Sequence, residues 1–294
     1  MRRKPEVFAH RGASGYRPEN TLEAFQLGID QGAVGIECDI VPTKDHRLIL
    51  RHESELGHTT NVAEHTEFAD RHKQVLMYGH WPVSGWFSED FTLAEIKQLR
   101  AVERLPDLRP GSAKFDGQFQ IPTLDELFEA DFIQGKKLIL EVKHGAHFAQ
   151  LGFDLVGEMV QLLNRFEQQL AQVELVFESF NLEVVTDMKN RIGGNHQFVF
   201  LVDSWGMPKD QSPVEFIASL AGQVDGVSFN FHLLTAEMVS QAKASGLLIY
   251  TWTAKVEDAE NSVEEYLMQF ISADVDGIFA DQPDLLFELV SGLA

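Results

Sequence analysis

The sequence is poor in cysteine and has no long apolar run. Cys38 is the only cysteine among the 294 residues, so no disulfide can form within the chain. Although 44% of the residues are hydrophobic, no stretch approaches the roughly 18 consecutive apolar residues that a membrane-spanning helix needs. These absences exclude a disulfide framework and predict a protein that does not insert into a membrane.

Basic residues are also scarce. The chain has 24 Lys and Arg against 45 Asp and Glu, which gives a formal net charge of −21. Such a surface repels nucleic acid and anionic membranes. We therefore expect a small-molecule ligand and no nucleic-acid partner, and any phosphate must be held by local positive charge. The sequence leaves the oligomeric state open.

The N-terminal segment MRRKPEVFAH enters predicted structure too early to contain the apolar centre of a signal peptide. A cytoplasmic protein is the simplest expectation. A periplasmic or secreted protein whose leader has been removed is the alternative.

Short β-rich runs alternate with amphipathic segments along most of the chain. The runs are VFAH, GIECDIVPT, RLILRHE, LILEVK, ELVFESF, FVFLVD, GVSFNF, LIYTWTA and DGIFAD. RLILRHE follows its predecessor after only KDH, whereas adjacent parallel strands need a crossover of about a dozen residues. It should therefore fold back as an antiparallel strand. The remaining eight runs predict an α/β fold, a (β/α)₈ TIM barrel, as a single domain over residues 1–294.

The alternation is interrupted between about residues 57 and 120. This interval contains MYGHWPVSGWFSEDF, a predicted helix TLAEIKQLRAV, and the Gly/Pro-containing LPDLRPGSAKFDGQ. It follows the second barrel strand, and the loops after barrel strands gather at the C-terminal face, where active sites lie. We therefore predict an insert that overhangs the barrel mouth, with Trp81, Trp86 or Phe87 shaping the pocket.

Carboxylates are predicted to converge at this mouth. In IECDI, Glu37 and Asp39 are two residues apart, so both point to one face of the strand, while the apolar residues between and beside them point to the other. Glu141 in LILEVK supplies a third carboxylate. Inward carboxylates repel one another unless a cation or a shared proton relieves them, and hard divalent cations prefer carboxylate oxygens. The pattern predicts a metal site.

Histidines and cations are expected at the same opening. His10 and Arg11 end the first strand, His52 ends the strand that folds back, and Lys143 follows Glu141 on the same face. A metal and local cations can stabilise charge on phosphoryl oxygens. One histidine can take a proton from the nucleophile and the other can donate one to the leaving alcohol. The arrangement indicates phosphodiester cleavage.

These residues lie in motifs that resemble the glycerophosphodiester phosphodiesterase family. The matching motifs, in order, are HRGASGYRPENTLEAF, GIECDIVPTKDHRLILRHESELGHTTNV, IPTLDELFE, LEVK, YTWT and DGIFADQPD. The resemblance implies a (β/α)₈ barrel that uses a divalent cation to cleave glycerophosphodiesters to glycerol 3-phosphate and an alcohol, through a cyclic phosphate. The implied roles are acid–base catalysis for His10 and His52, metal binding for Glu37, Asp39 and Glu141, and phosphate binding for Arg11 and Lys143.

Some positions depart from the family pattern or stay ambiguous. Glu53 follows His52 where the family usually has aspartate, so the charge is kept and a methylene is added. Ala280 stands before Asp281 where threonine is common. Trp252 either walls the substrate pocket or packs internally.

Two questions stay open at the level of sequence. The long insert and the histidines after LEVK look more like the calcium-dependent branch of the family, so Ca²⁺ is expected, with Mg²⁺ as the alternative. The rival functions are a phospholipase D or sphingomyelinase D-like enzyme that releases a cyclic phosphate from a lipid, and a non-catalytic barrel that binds phosphorylated ligands. The presence of both His10 and His52 disfavours the non-catalytic barrel.

Overall fold

Eight parallel strands close into a barrel in the computed structural model, which describes residues 4–77 and 79–293. The strands are β1 (Glu6–His10), β2 (Gly35–Pro42), β3 (Leu48–Leu50), β4 (Lys73–Met77), β5 (Trp81–Gly85), β6 (Lys137–Val142), β7 (Glu174–Ser179), β8 (Gln197–Val202), β9 (Gly226–Asn230), β10 (Leu248–Ala254) and β11 (Gly277–Ala280). The order around the barrel is β1-β11-β10-β9-β8-β7-β6-β2, and β2 pairs with β1 to close it. The predicted (β/α)₈ barrel is confirmed.

Helices separate the barrel strands and cover them. They are α1 (Leu22–Asp30), α2 (Leu93–Ile96), α3 (Pro110–Ala113), α4 (Leu124–Phe128), α5 (Gly145–Gln150), α6 (Leu155–Arg165), α7 (Leu182–Ile192), α8 (Pro213–Ser219), α9 (Ala236–Ala244), α10 (Val263–Ser272) and α11 (Pro283–Gly292). Several begin at a side-chain cap, as where Thr21 Oγ1 accepts from Ala24 N at the start of α1. Among the described residues, no helix has the length and apolarity that crossing a membrane requires.

Alternation along each strand divides the apolar residues into two cores. Along β2, Ile36, Cys38 and Ile40 belong to the larger core, which also contains apolar residues of the covering helices. Glu37 and Asp39 point the other way, into the barrel. The strand is buried throughout because one face meets helices and the other meets the barrel interior.

The chain between β3 and β6 forms a long connection, residues 51–136, called here the β3–β6 connection. β3 itself runs antiparallel to β2, with Ile40 opposite Leu50, as predicted. Within the connection, β4 and β5 form a hairpin. The predicted helix TLAEIKQLRAV is shorter than expected, because α2 ends at Ile96 and Arg100 and Ala101 pair with extended segments instead.

Gly12 provides a test of how tightly the first βα turn is packed. Its φ is +82°, and a Cβ at this position would lie 2.4 Å from the backbone carbon of Ala24. Gly117 has a similar φ of +75°, but a Cβ there would meet nothing within 4 Å. Gly117→Ala should therefore cost only about 1–2 kcal/mol of backbone strain, whereas Gly12→Ala should cost about 2–5 kcal/mol because backbone must also move. Chemical denaturation of both variants measures this difference, and equal losses would contradict the packing described.

Candidate active site

The polar residues at the barrel mouth lie on the inward faces of the strands, beyond the apolar residues that fill the barrel. Six apolar residues form the core inside the barrel: Phe8, Ile139, Val176, Val199, Tyr250 and Phe279. Since one face of a strand recurs every second residue, the next inward position on five of these strands lies at the mouth. These positions carry His10, Glu141, Glu178, Trp252 and Asp281.

The register of the sheet places the carboxylates side by side. His10 pairs with Glu37, Asp39 with Glu141, and Glu141 with Glu178. Glu178 is 2% exposed, and it is a buried acidic residue that the sequence analysis did not single out. The sequence places Glu178 at an inward position of ELVFESF. Only the register between β6 and β7 shows that this position lies beside Glu141.

A cavity of about 250 Å³ opens at this end of the barrel. The predicted site residues that line it are His10, Arg11, Glu37, His52, Glu141, Lys143 and Trp252. Asp39 is fully buried and does not line the cavity itself. Arg104, Leu105 and Arg109 of the β3–β6 connection contribute to the wall.

The aromatic residues expected from the insert do not line this cavity. Trp81 lies on the β4–β5 hairpin with 66% of its surface exposed, and Phe87 is fully buried. Trp86 donates from its Nε1 to the carbonyl oxygen of Phe68. Trp81 thus lies on the surface of the hairpin, whereas Trp86 and Phe87 pack within the β3–β6 connection.

Trp252 both lines the cavity and packs against protein. Its ring meets that of Phe180 edge-on, with centroids 5.5 Å apart, and its Nε1 lies 3.4 Å from the carbonyl oxygen of Ser228. Trp252 therefore does both of the things that the sequence left open: it forms part of the pocket wall and it packs internally.

Two carboxylates of the cluster are each anchored through one oxygen only. Glu37 Oε2 accepts from Arg11 N at 2.9 Å, and Asp39 Oδ2 accepts from Asn20 Nδ2 at 2.8 Å. Among the residues that the structure describes, none makes a hydrogen bond to the buried Glu37 Oε1 or Asp39 Oδ1. Ligand oxygens of Glu37, Asp39 and Glu141 lie within 4.8 Å of one another. Buried carboxylate oxygens that accept no hydrogen bond, gathered in one group, fit a hard divalent cation.

Two cations offset part of the negative charge. Arg11 Nε lies 3.2 Å from Asp39 Oδ2, and Lys143 Nζ lies 2.7 Å from Glu141 Oε1 and 3.5 Å from Asp39 Oδ1. With Glu37 and Glu178 included, four buried carboxylates face these two cations. If all are ionised, two negative charges remain, which equals the charge of one divalent cation.

The pKa values of these carboxyl groups reflect the uncompensated charge. Burial raises the pKa of Glu37 well above its ordinary value, and the nearby Asp39 and Glu178 raise it further. Burial, followed by the charges of Glu141 and Asp39, likewise raises the pKa of Glu178. For Asp39 burial acts in the same direction, but the positive charges led by Arg11 outweigh it and lower the pKa. The cluster therefore favours either protons or a metal ion.

Both histidines are held through Nδ1 by a carboxylate. His10 Nδ1 is 2.6 Å from Asp281 Oδ1, and His52 Nδ1 is 2.5 Å from Glu53 Oε1. These contacts favour the tautomer with the proton on Nδ1, which leaves Nε2 free to accept a proton. Burial, followed by the charge of Arg11, lowers the pKa of both histidines. Asp281 has a defined contact that the motif DGIFADQPD alone did not assign.

Comparison with known proteins agrees with this arrangement. The profile of the glycerophosphoryl diester phosphodiesterase family matches residues 10–285. A glycerophosphodiester phosphodiesterase of Caldanaerobacter subterraneus subsp. tengcongensis is 30% identical over 296 residues, which cover 98% of each chain. One of Arabidopsis thaliana is 42% identical over 123 residues, 42% of this chain and 32% of that protein.

A solved structure has the same fold. It is a phosphodiesterase of Oleispira antarctica in complex with the product sn-glycerol-3-phosphate, and it superposes with a TM-score of 0.72 at 23% identity, covering 98% of both chains. The profile match spans nearly the whole chain and includes every residue that lines the cavity. The chain therefore belongs to the glycerophosphoryl diester phosphodiesterase family.

Proposed function

We propose that the protein hydrolyses glycerophosphodiesters to glycerol 3-phosphate and an alcohol, with a divalent cation as cofactor. The observation that carries this proposal is the cavity in which two histidines, each held by a carboxylate, lie beside a cluster of three buried carboxylates that could hold a metal ion. Family membership supports the same reaction, and the Oleispira antarctica relative was solved with the proposed product. A cavity of about 250 Å³ suits a small phosphodiester.

Glu37, Asp39 and Glu141 would hold the cation. When bound, it would supply a Lewis acid that offsets negative charge on the phosphoryl oxygens. We propose Ca²⁺, whose bonds of about 2.3–2.6 Å to oxygen tolerate irregular carboxylate geometry, with Mg²⁺ as the alternative. Arg11 and Lys143, which both line the cavity, would add positive charge for the phosphate.

The two histidines would move protons in opposite directions. In the first step His10 would accept the proton of the glycerol hydroxyl next to the phosphorus, and that oxygen would form a bond to phosphorus. The bond from phosphorus to the alcohol oxygen would break as His52, which would first have bound a second proton at Nε2, donates that proton to the oxygen, and this leaves a cyclic phosphate. In the second step water would open the ring, with His52 taking the proton of water and His10 returning one to the glycerol oxygen.

The metal requirement can be tested by the release of glycerol 3-phosphate from glycerophosphocholine. Chelation should abolish activity and added Ca²⁺ or Mg²⁺ should restore it. Glu141→Gln should raise the metal concentration for half-maximal activity by at least about 10-fold, because one ligand charge is lost. Glu174→Gln is the matched control, since it makes the same change at the opposite end of a barrel strand. Full activity in EDTA would contradict the proposed cofactor.

The histidine roles can be separated by the leaving group. Choline leaves poorly without a proton, whereas p-nitrophenol, with a pKa of about 7, leaves readily, and general acid catalysis is worth roughly 10²–10⁴-fold. His52→Ala should therefore lose much less activity on the p-nitrophenyl ester of glycerol 3-phosphate than on glycerophosphocholine. His10→Ala should be impaired on both substrates, because the attacking hydroxyl still needs a base.

The same assay shows whether the acid and base roles have been assigned to the wrong histidines. If the activated ester rescued His10→Ala instead, the two roles would be exchanged. If it rescued neither variant, the two-histidine scheme would be refuted.

A further inference from the structure

We propose that Arg104 and Arg109, both in the β3–β6 connection, are positioning residues that orient the two histidines. Each arginine holds the carboxylate that contacts the Nδ1 of one histidine. One short stretch of the connection thereby acts on both ends of the proposed proton transfer. This inference rests on the acid–base roles of His52 and His10 proposed above.

The first contact series runs from Arg104 to His52. Arg104 Nη1 donates to Glu53 Oε1 at 2.9 Å and its Nη2 donates to Glu53 Oε2 at 2.6 Å. Glu53 Oε1 is also the atom 2.5 Å from His52 Nδ1. Because a bidentate arginine fixes the plane of a carboxylate, Arg104 fixes the acceptor that faces the imidazole. On its other side Arg104 binds Glu19 through Nε and Nη2, at 2.8 and 2.7 Å.

The second series runs from Arg109 to His10. Arg109 Nη2 donates to Asp281 Oδ2 at 2.5 Å, while Asp281 Oδ1 lies 2.6 Å from His10 Nδ1. The two oxygens of one carboxylate thus serve the arginine and the histidine separately. Arg109 Nε also donates to Glu257 Oε1 at 2.6 Å, and its Nη1 donates to the carbonyl oxygen of Ser14 at 3.1 Å. Arg109 and Asp281 are both about 95% buried, so the series is shielded from water.

The hydrogen bonds of the arginines argue for positioning rather than for contact with substrate. A guanidinium has five N–H donors. Arg104 makes four hydrogen bonds to Glu19 and Glu53, and Arg109 likewise makes four, to Ser14, Glu257 and Asp281. Both line the cavity, yet each has at most one donor left for a ligand. Arg11, by contrast, donates side-chain hydrogen bonds from Nη1 to Glu19, both at 3.3 Å, while its Nε lies 3.2 Å from Asp39 Oδ2.

The same contacts account for the glutamate that follows His52. The longer side chain of Glu53 reaches both the imidazole next to it in sequence and Arg104 across the cavity wall. Loss of the arginine would leave this carboxylate partly exposed and free to rotate, since its side chain is 28% exposed. The histidine would then lose its fixed orientation without losing its chemical group.

Double-mutant cycles test whether the arginines act through the histidines. Arg104→Gln and Glu53→Gln should each lower kcat on glycerophosphocholine by roughly 10–100-fold with little change in KM, and should lose less on the p-nitrophenyl ester, as His52→Ala does. In a His52→Ala background the same changes should cost less than about 2-fold on that ester, because there is no imidazole left to orient. Arg109→Gln should lower activity on both esters, and should add little to His10→Ala.

Arg71→Gln is the matched control. It breaks the ion pair between Arg71 and Glu95, which lies in the same connection but contacts neither histidine. Its kcat should equal that of the wild type, and thermal denaturation of every variant checks folding. Where Arg104→Gln does not fold, Arg104→Lys and Glu53→Gln carry the same cycle, and the lysine should give an intermediate kcat because it cannot bind two carboxylates in the same fork.

Three outcomes overturn the positioning roles. They are costs that multiply in the double variants, a raised KM at unchanged kcat, and a loss in Arg71→Gln as large as that in Arg104→Gln. These results would leave the proposed function standing as long as His52→Ala and His10→Ala remain impaired on glycerophosphocholine. A wild-type protein that releases no glycerol 3-phosphate would instead refute the function itself.

Discussion

Mutual repulsion among buried carboxylates at the barrel mouth is the constraint on which the site depends. Glu37, Asp39, Glu141 and Glu178 are all at most 6% exposed, and burial alone disfavours their charged forms. A fold that brings four such groups together must supply positive charge, protons or a metal ion. Arg11 and Lys143 supply part of the positive charge. A divalent cation near Glu37 Oε1 and Asp39 Oδ1, to which no described residue donates a hydrogen bond, would supply the rest.

The chain that follows β1 is shaped by this need. Gly12 permits a turn so close to α1 that Arg11 can present both its backbone N–H to Glu37 and its side chain to Asp39. Asn20 binds Asp39 twice, through its amide nitrogen to Oδ2 and through its amide oxygen to the backbone N–H. The segment from His10 to Asn20 therefore belongs to the carboxylate cluster as much as to the first helix.

The alternation of side chains along each strand predicted which residues meet at the mouth. This was possible because, in a closed barrel, one face of every strand points to the interior and the other points to the helices. His10, Glu37 and Glu141 needed only that rule and the count of eight strands. Glu178 needed the register between β6 and β7, which no local pattern encodes.

Arg104 and Arg109 lay further out of reach of sequence reasoning. Their contacts depend on how the β3–β6 connection folds. In this connection the sequence pattern predicted a helix longer than α2, which ends at Ile96. The prediction that Trp81 shapes the pocket was wrong for the same reason. Trp81 lies on the β4–β5 hairpin, and a hairpin can turn an aromatic side chain outward as readily as inward.

The metal site at the barrel mouth is tested most directly by a structure of crystals grown with Mn²⁺, with anomalous differences recorded near the manganese edge. Mn²⁺ is a suitable probe because it shares the preference of Ca²⁺ and Mg²⁺ for carboxylate oxygens. We expect a strong peak bordered by the carboxylate oxygens of Glu37, Asp39 and Glu141, and its loss in Glu37→Gln. A map with no peak at the barrel mouth, from crystals of protein that is active with Mn²⁺, would contradict it.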